Sequence, residues 1–279
     1  MERTARAAST PTPEPLPAGD AAALLDGVPR QRGVVVAPVP RTPRSALRPY
    51  PGAEHRAVPR PWRLLPSPVG TPVTFAYTAI LALTSLFASY ASPGLLRTLY
   101  QGSSTDVAHL LRTPVLVLLA SALWIAGGLL SPYALAFVLV LTALERRIGG
   151  ARAILVFLAG HVLATLATEV PVGLAVLAGH LPDTSLHRLD YGISFGVAAS
   201  IGALSGLLAP WLRWPLLALV GYSLVTDLIA FEDPMTNWGH LIALAVGTGL
   251  WPLVRRWHRE RMEAAAAATA VGPCRGLAG

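Results

Sequence analysis

A chain of 279 residues with 53% hydrophobic residues, only 13% charged ones and a mean hydropathy of +0.52 is too apolar for an ordinary soluble domain. Charge is also segregated: residues 1–63 hold ten Arg and five acids, whereas Leu64–Leu96 and Thr113–Leu144 hold none. Both charge-free runs exceed the roughly 20 residues that cross hydrocarbon, so composition points to a polytopic all-α membrane protein.

All 22 basic residues are Arg, and they sit in tails and short loops. Membrane topology accounts for them, and with them for the formal net charge of +7, without nucleic acid. The single cysteine, Cys274, excludes a disulfide framework and a Cys-based metal site.

In chain order, residues 1–70 read as a disordered, Pro- and Arg-rich cytoplasmic tail. No signal peptide is expected, because the first apolar run begins near residue 64. A membrane domain is expected over 71–258 and a second cytoplasmic tail over 259–279, loose from residue 263 onward. Spans are placed at Val73–Ser92, Leu129–Arg146, Ala153–Thr168, Gly192–Leu208, Trp214–Ala230 and Trp238–Val254. Pro114–Gly128 is apolar enough to be a seventh. Parity argues against it: six spans with the N-terminus inside put Arg146, Arg147, Arg152, Arg213, Arg255, Arg256, Arg259 and Arg261 on the cytoplasmic side. Arg97–Gly128 is then one long outer loop, partly embedded in the membrane and packed on protein.

Polar groups at membrane depth are the functional candidates. Ser194 and His240 each fall about three residues inside the outer end of spans four and six, at one shared depth. A serine hydroxyl becomes a nucleophile beside a histidine base, so the pair can attack a peptide bond within a membrane-embedded substrate. Ser194, Ala198, Gly202 and Gly206 form a small-residue stripe at every fourth position, and His240, Ala243 and Gly247 share one face of span six. Packing these faces together draws Ser194 toward His240. Asp227, near the outer end of span five, is a candidate for orienting His240, as the acid of a triad does. Asn237 and Asp190 flank the site as water-path residues or helix caps. His161 reads as a packed histidine bonded across helices, and Glu145 as a structural group on the inner face.

Three blocks now resemble the rhomboid superfamily of intramembrane serine proteases, in its divergent actinobacterial form. They are Leu144-Glu145-Arg146-Arg147-Ile148-Gly149, Gly192-Ile193-Ser194, and His240 with Ala243 and Gly247. The resemblance covers roughly residues 72–256. It implies a six-span bundle with a partly embedded first outer loop, a Ser194 nucleophile, a His240 base, Gly192 as part of the active-site motif, and no cofactor or metal. It implies transmembrane proteins as substrates, or as clients if the chain is an inactive relative.

The departures are specific. Phe195 stands where the family places glycine after the nucleophile, and Leu129 and Tyr133 stand where it places an oxyanion-binding His and Asn. Ala198 replaces an aromatic residue that packs on the histidine. Loss of one oxyanion donor typically costs about 100- to 1000-fold in rate. A small transporter would need more charges along an internal path, or inverted repeats, and the sequence has neither.

Overall fold

A computed structural model describes residues 64–231 and 233–271. Residues 1–63 of the tail expected over 1–70, and Cys274, lie outside the described residues. Those described form ten α-helices and one 3-10 turn, without strands. The chain is therefore an all-helical membrane bundle.

Proline begins many of these helices. Pro72, Pro93, Pro114, Pro132, Pro210 and Pro234 each stand in the first turn, where a missing N–H leaves no bond unmade. Side-chain caps add to them: Ser131 accepts from Ala134 at the start of α5, and Asp233 from Thr236 at the start of α9. α1 (Pro72–Tyr90), α6 (Gly150–Leu177) and α8 (Pro210–Ala230) are long and apolar enough to cross a membrane. α5 (Pro132–Ile148), α7 (Ser194–Ser205) and α9 (Pro234–Gly249) complete the six helices that match the expected spans.

Pro114–Gly128 is not a span. Its helix α4 (Pro114–Ser121) has eight residues, about 12 Å, well short of hydrocarbon thickness. With α2 (Pro93–Gly102) and α3 (Val107–Arg112) it forms a broken loop held to the bundle. Tyr77 Oη donates to Ala122 O at 2.6 Å and Thr84 Oγ1 to Leu123 O at 2.7 Å. Val115, Leu116 and Leu119 remain exposed on its outer face, as an embedded loop requires.

Several boundaries differ from expectation. α6 runs nine residues past Thr168, so Glu169 lies within the helix rather than in a loop. α7 has only 12 residues where 17 were expected. It is enclosed by α5, α6 and α9, so its surroundings are protein and it need not match the bilayer. The sixth expected span breaks at Leu250, because Pro252 cannot donate to the preceding turn, and α10 (Trp251–Val271) follows. Helix thus extends into the segment expected to be loose from residue 263, where an Ala run from Ala264 favours it.

Glycine makes the core possible. A Cβ on Gly202 would meet Leu244 O at 2.5 Å, and one on Gly247 would collide with the Ala199 backbone. The small stripe of α7 therefore packs on α9 in the expected register. At the other end of α5, Glu145 caps α1: Oε1 accepts from Val73 N at 3.1 Å, and Oε2 from Thr74 N at 2.7 Å and Thr74 Oγ1 at 2.6 Å. Gly149, at φ 91°, and Gly150, pressed against Val73, admit this arrangement.

Candidate active site

Ser194 is the first residue of α7, half-buried, and precedes an almost wholly buried helix. Gly192 sets up that start. Its φ of 121° is open to glycine alone, and its N–H donates to Ser121 O at 3.0 Å, tying the approach to α4. The amides of Ser194, Phe195 and Gly196 have no acceptor among the described residues, as befits a first helical turn. A positive helix end and three free donors thus surround the Ser194 backbone.

His240 is the seventh residue of α9, deeper along its helix than the three positions read from sequence. It nevertheless reaches the level of the α7 start, because its ring meets Phe195 edge-to-face at a centroid distance of 5.2 Å. Its other face stacks on Tyr133, at 5.2 Å and 20°. The ring is 4% exposed. Nδ1 lies 3.5 Å from Tyr133 Oη, the long limit of a hydrogen bond, and Nε2 is buried without a partner. No hydrogen bond joins Ser194 to His240 among the described residues.

The remaining candidates separate. Asp227 makes no hydrogen bond to His240 among the described residues. Its side chain is exposed, and its carbonyl accepts from Asn237 Nδ2 at 3.0 Å, so this pair ties the end of α8 to α9. The group beside Nδ1 is Tyr133 Oη. His161 is structural: Nε2 lies 3.0 Å from Ser121 Oγ and 3.1 Å from Leu118 O, holding α4 against α6. His109 pairs with Asp106, the N-cap of its own short helix, at 2.9 Å.

Asp190 belongs to a polar cluster that the sequence did not reveal. Arg188 pairs with Glu169, lies 3.7 Å from Asp190 Oδ2, and reaches Thr236 Oγ1 at 3.1 Å. Thr105 Oγ1 donates to Asp190 Oδ2 at 3.2 Å, and Asp190 N donates to Ser104 Oγ at 3.0 Å. Burial pushes the Asp190 carboxyl above its ordinary range, against the pull of Arg188. Burial alone would lower the Arg188 guanidinium, but Asp190, Glu169 and Asp233 together hold it above its usual value.

Comparison with protein families matches residues 69–260 to the family described as rhomboid-like proteins. The chain belongs to that family. No curated protein and no solved structure matches it. The matched stretch begins just before α1 and ends within α10, so it contains every helix that builds the Ser194 and His240 environment. Phe195 gains meaning in this rhomboid-like protein. In place of the glycine expected after the serine, it supplies an aromatic edge to His240 that Ala198 cannot. An aromatic residue beside a buried histidine on the neighbouring helix was the available signal, and helix rotation alone determines that they meet.

Proposed function

We propose that this rhomboid-like protein is an intramembrane serine protease that cuts transmembrane proteins with a Ser194–His240 dyad. It lies in a bacterial plasma membrane, with both termini cytoplasmic and the dyad near the outer face. The observation that carries this reading is the unpartnered Nε2 of His240, buried at the level of the half-buried Ser194. A buried ring nitrogen without a bond is costly, and His161 Nδ1 shares that state; what sets His240 apart is its place against Phe195 at the open start of α7, where it can accept a serine proton.

The chemistry follows from these positions. The tautomer that frees Nε2 to accept carries its proton on Nδ1, facing Tyr133 Oη. As the Ser194 oxygen bonds to the scissile carbonyl carbon, its proton passes to Nε2. The free amides at the start of α7 receive the negative oxygen of the tetrahedral intermediate. The Nε2 proton then leaves with the amine product, and water hydrolyses the acyl-enzyme with His240 as base again. α8 buries only Leu224 along its 21 residues, so an arriving substrate helix has little packing to displace there.

The missing Ser194–His240 hydrogen bond favours a second reading, a non-catalytic binder of transmembrane clients. Serine-directed chemistry separates the two. The protease reading expects a fluorophosphonate probe to label Ser194, and Ser194→Ala or His240→Ala to abolish both labelling and cleavage of a co-expressed single-span substrate. Labelling or cleavage that persists in both variants overturns it. A client that co-purifies without any labelling favours the binder.

A further inference from the structure

Arg188 lies in the extended stretch between the 3-10 turn Asp183–His187 and α7. Its guanidinium reaches two helices and Asp190 of its own segment. Nη2 pairs with Glu169 of α6 and faces Asp190, which stands four residues before Ser194. Nη1 donates to Thr236 Oγ1 at 3.1 Å and lies 3.5 Å from Asp233, the N-cap of α9. Thr236 is one helical turn before His240, about 6 Å along the axis. The Arg188 carbonyl also accepts from Ser104 Oγ at 3.2 Å, adding the first outer loop to the junction.

We propose that Arg188 is a positioning residue that sets the register between the segment carrying Ser194 and the helix carrying His240. The proposal rests on the dyad reading. The physical case is the geometry of the fork. Each terminal nitrogen serves a different element, so the planar guanidinium fixes their separation, which a point charge on a flexible stem does not. The anchor is firm because Glu169 is 1% exposed, and a buried carboxylate cannot leave its counter-ion cheaply. Glu169 on α6 is thus the post, and Arg188 the bracket that holds both halves of the dyad to it.

The test uses the full-length protein in nanodiscs, with three measurements on wild type, Arg188→Ala and Arg188→Lys. Fluorophosphonate labelling of Ser194 is expected to slow about 10-fold or more in Arg188→Ala, given that a misplacement of about 1 Å can cost about 100-fold. Arg188→Lys is expected to recover only part of the rate. Guanidinium ion at tens of millimolar is expected to restore labelling of Arg188→Ala, with tetramethylammonium at equal ionic strength as the control. A merely structural loss would not respond to the ion. Labelling of Arg188→Ala at the wild-type rate, or a loss that guanidinium leaves unchanged, overturns the proposal. If wild type itself is not labelled, the dyad reading fails, and hydrogen exchange decides the pin on its own. Faster exchange in the first turn of α9, restored by guanidinium, upholds it; unchanged exchange there overturns it.

Discussion

The two ends of α7 are built to opposite plans. At its C-terminal end, the carbonyls are all spoken for. Arg213 donates to Ser205 O at 2.8 Å and Leu208 O at 2.7 Å, Arg255 donates to Gly206 O at 3.0 Å, and Trp251 Nε1 donates to Gly202 O at 2.7 Å. Both guanidinium groups lie 5.1 Å from the Trp251 ring, so one aromatic side chain is held between two cations at the negative end of the helix. At its N-terminal end, three amides, the Ser194 hydroxyl and the His240 Nε2 have no partners among the described residues. The saturated end fixes where the helix sits. The unsaturated end leaves its polar groups open, as the proposed chemistry requires. A single 12-residue helix is thereby saturated at one end and open at the other, where the candidate residues stand.

That contrast can be broken at either end. The largest effect is expected from the open end: Ser194→Ala should lower cleavage at least about 10⁴-fold while leaving the thermal midpoint in detergent nearly unchanged. Gly247→Val should do the reverse of a clean active-site change. Its side chain collides with the Ala199 backbone, so a loss of roughly 3 kcal/mol or more is expected, read as poor recovery and a lowered midpoint. Arg213→Ala opens the closed end. Removing these charge-assisted bonds should cost about 2 kcal/mol in stability, with the labelling rate of the folded fraction preserved.

Smaller effects sharpen the picture near the site. Tyr133→Phe keeps the ring stacked on His240 but removes the long contact to Nδ1, so labelling should fall only a few-fold. Tyr133→Ala should fall much further, through loss of the stack. The smallest signal concerns Asp190. Its carboxyl titrates above the ordinary value of 3.8 in the folded protein, so the folded state binds more protons than the unfolded one. Stability from this group is therefore complete below that ordinary value and declines as pH rises toward the raised folded one. Asp190→Asn should flatten this part of the curve of thermal midpoint against pH, and an unchanged curve would exclude the assignment.

Much of the fold was legible in the sequence because its causes are local. Charge-free runs, the distribution of Arg and the small-residue stripe through Gly202 act through length, charge and volume. They located six helices, the short embedded loop and the stripe that packs α7 on α9. The Glu145 block and His161 were legible as structural because an isolated polar group in an apolar run must find a partner. What could not be read was which partner. Asp227 stands one helix away from His240 in sequence order, yet it is exposed and the ring's polar contact is with Tyr133. Glu169 fell beyond the expected end of its span because its charge marks a boundary to any hydropathy reading, whereas burial against Arg188 allows the helix to continue.

The sequence by itself determined a polytopic helical membrane protein of rhomboid-like type, with Ser194 and His240 as its reactive candidates. Only the tertiary structure decided that Phe195 and Tyr133 flank His240, that Nε2 is left open, and that Arg188 joins the two halves of the site. Spans and packing stripes follow from periodicity within one segment. Hydrogen-bond partners between segments depend on the rotation and offset of helices that meet from distant parts of the chain, and no single segment encodes these.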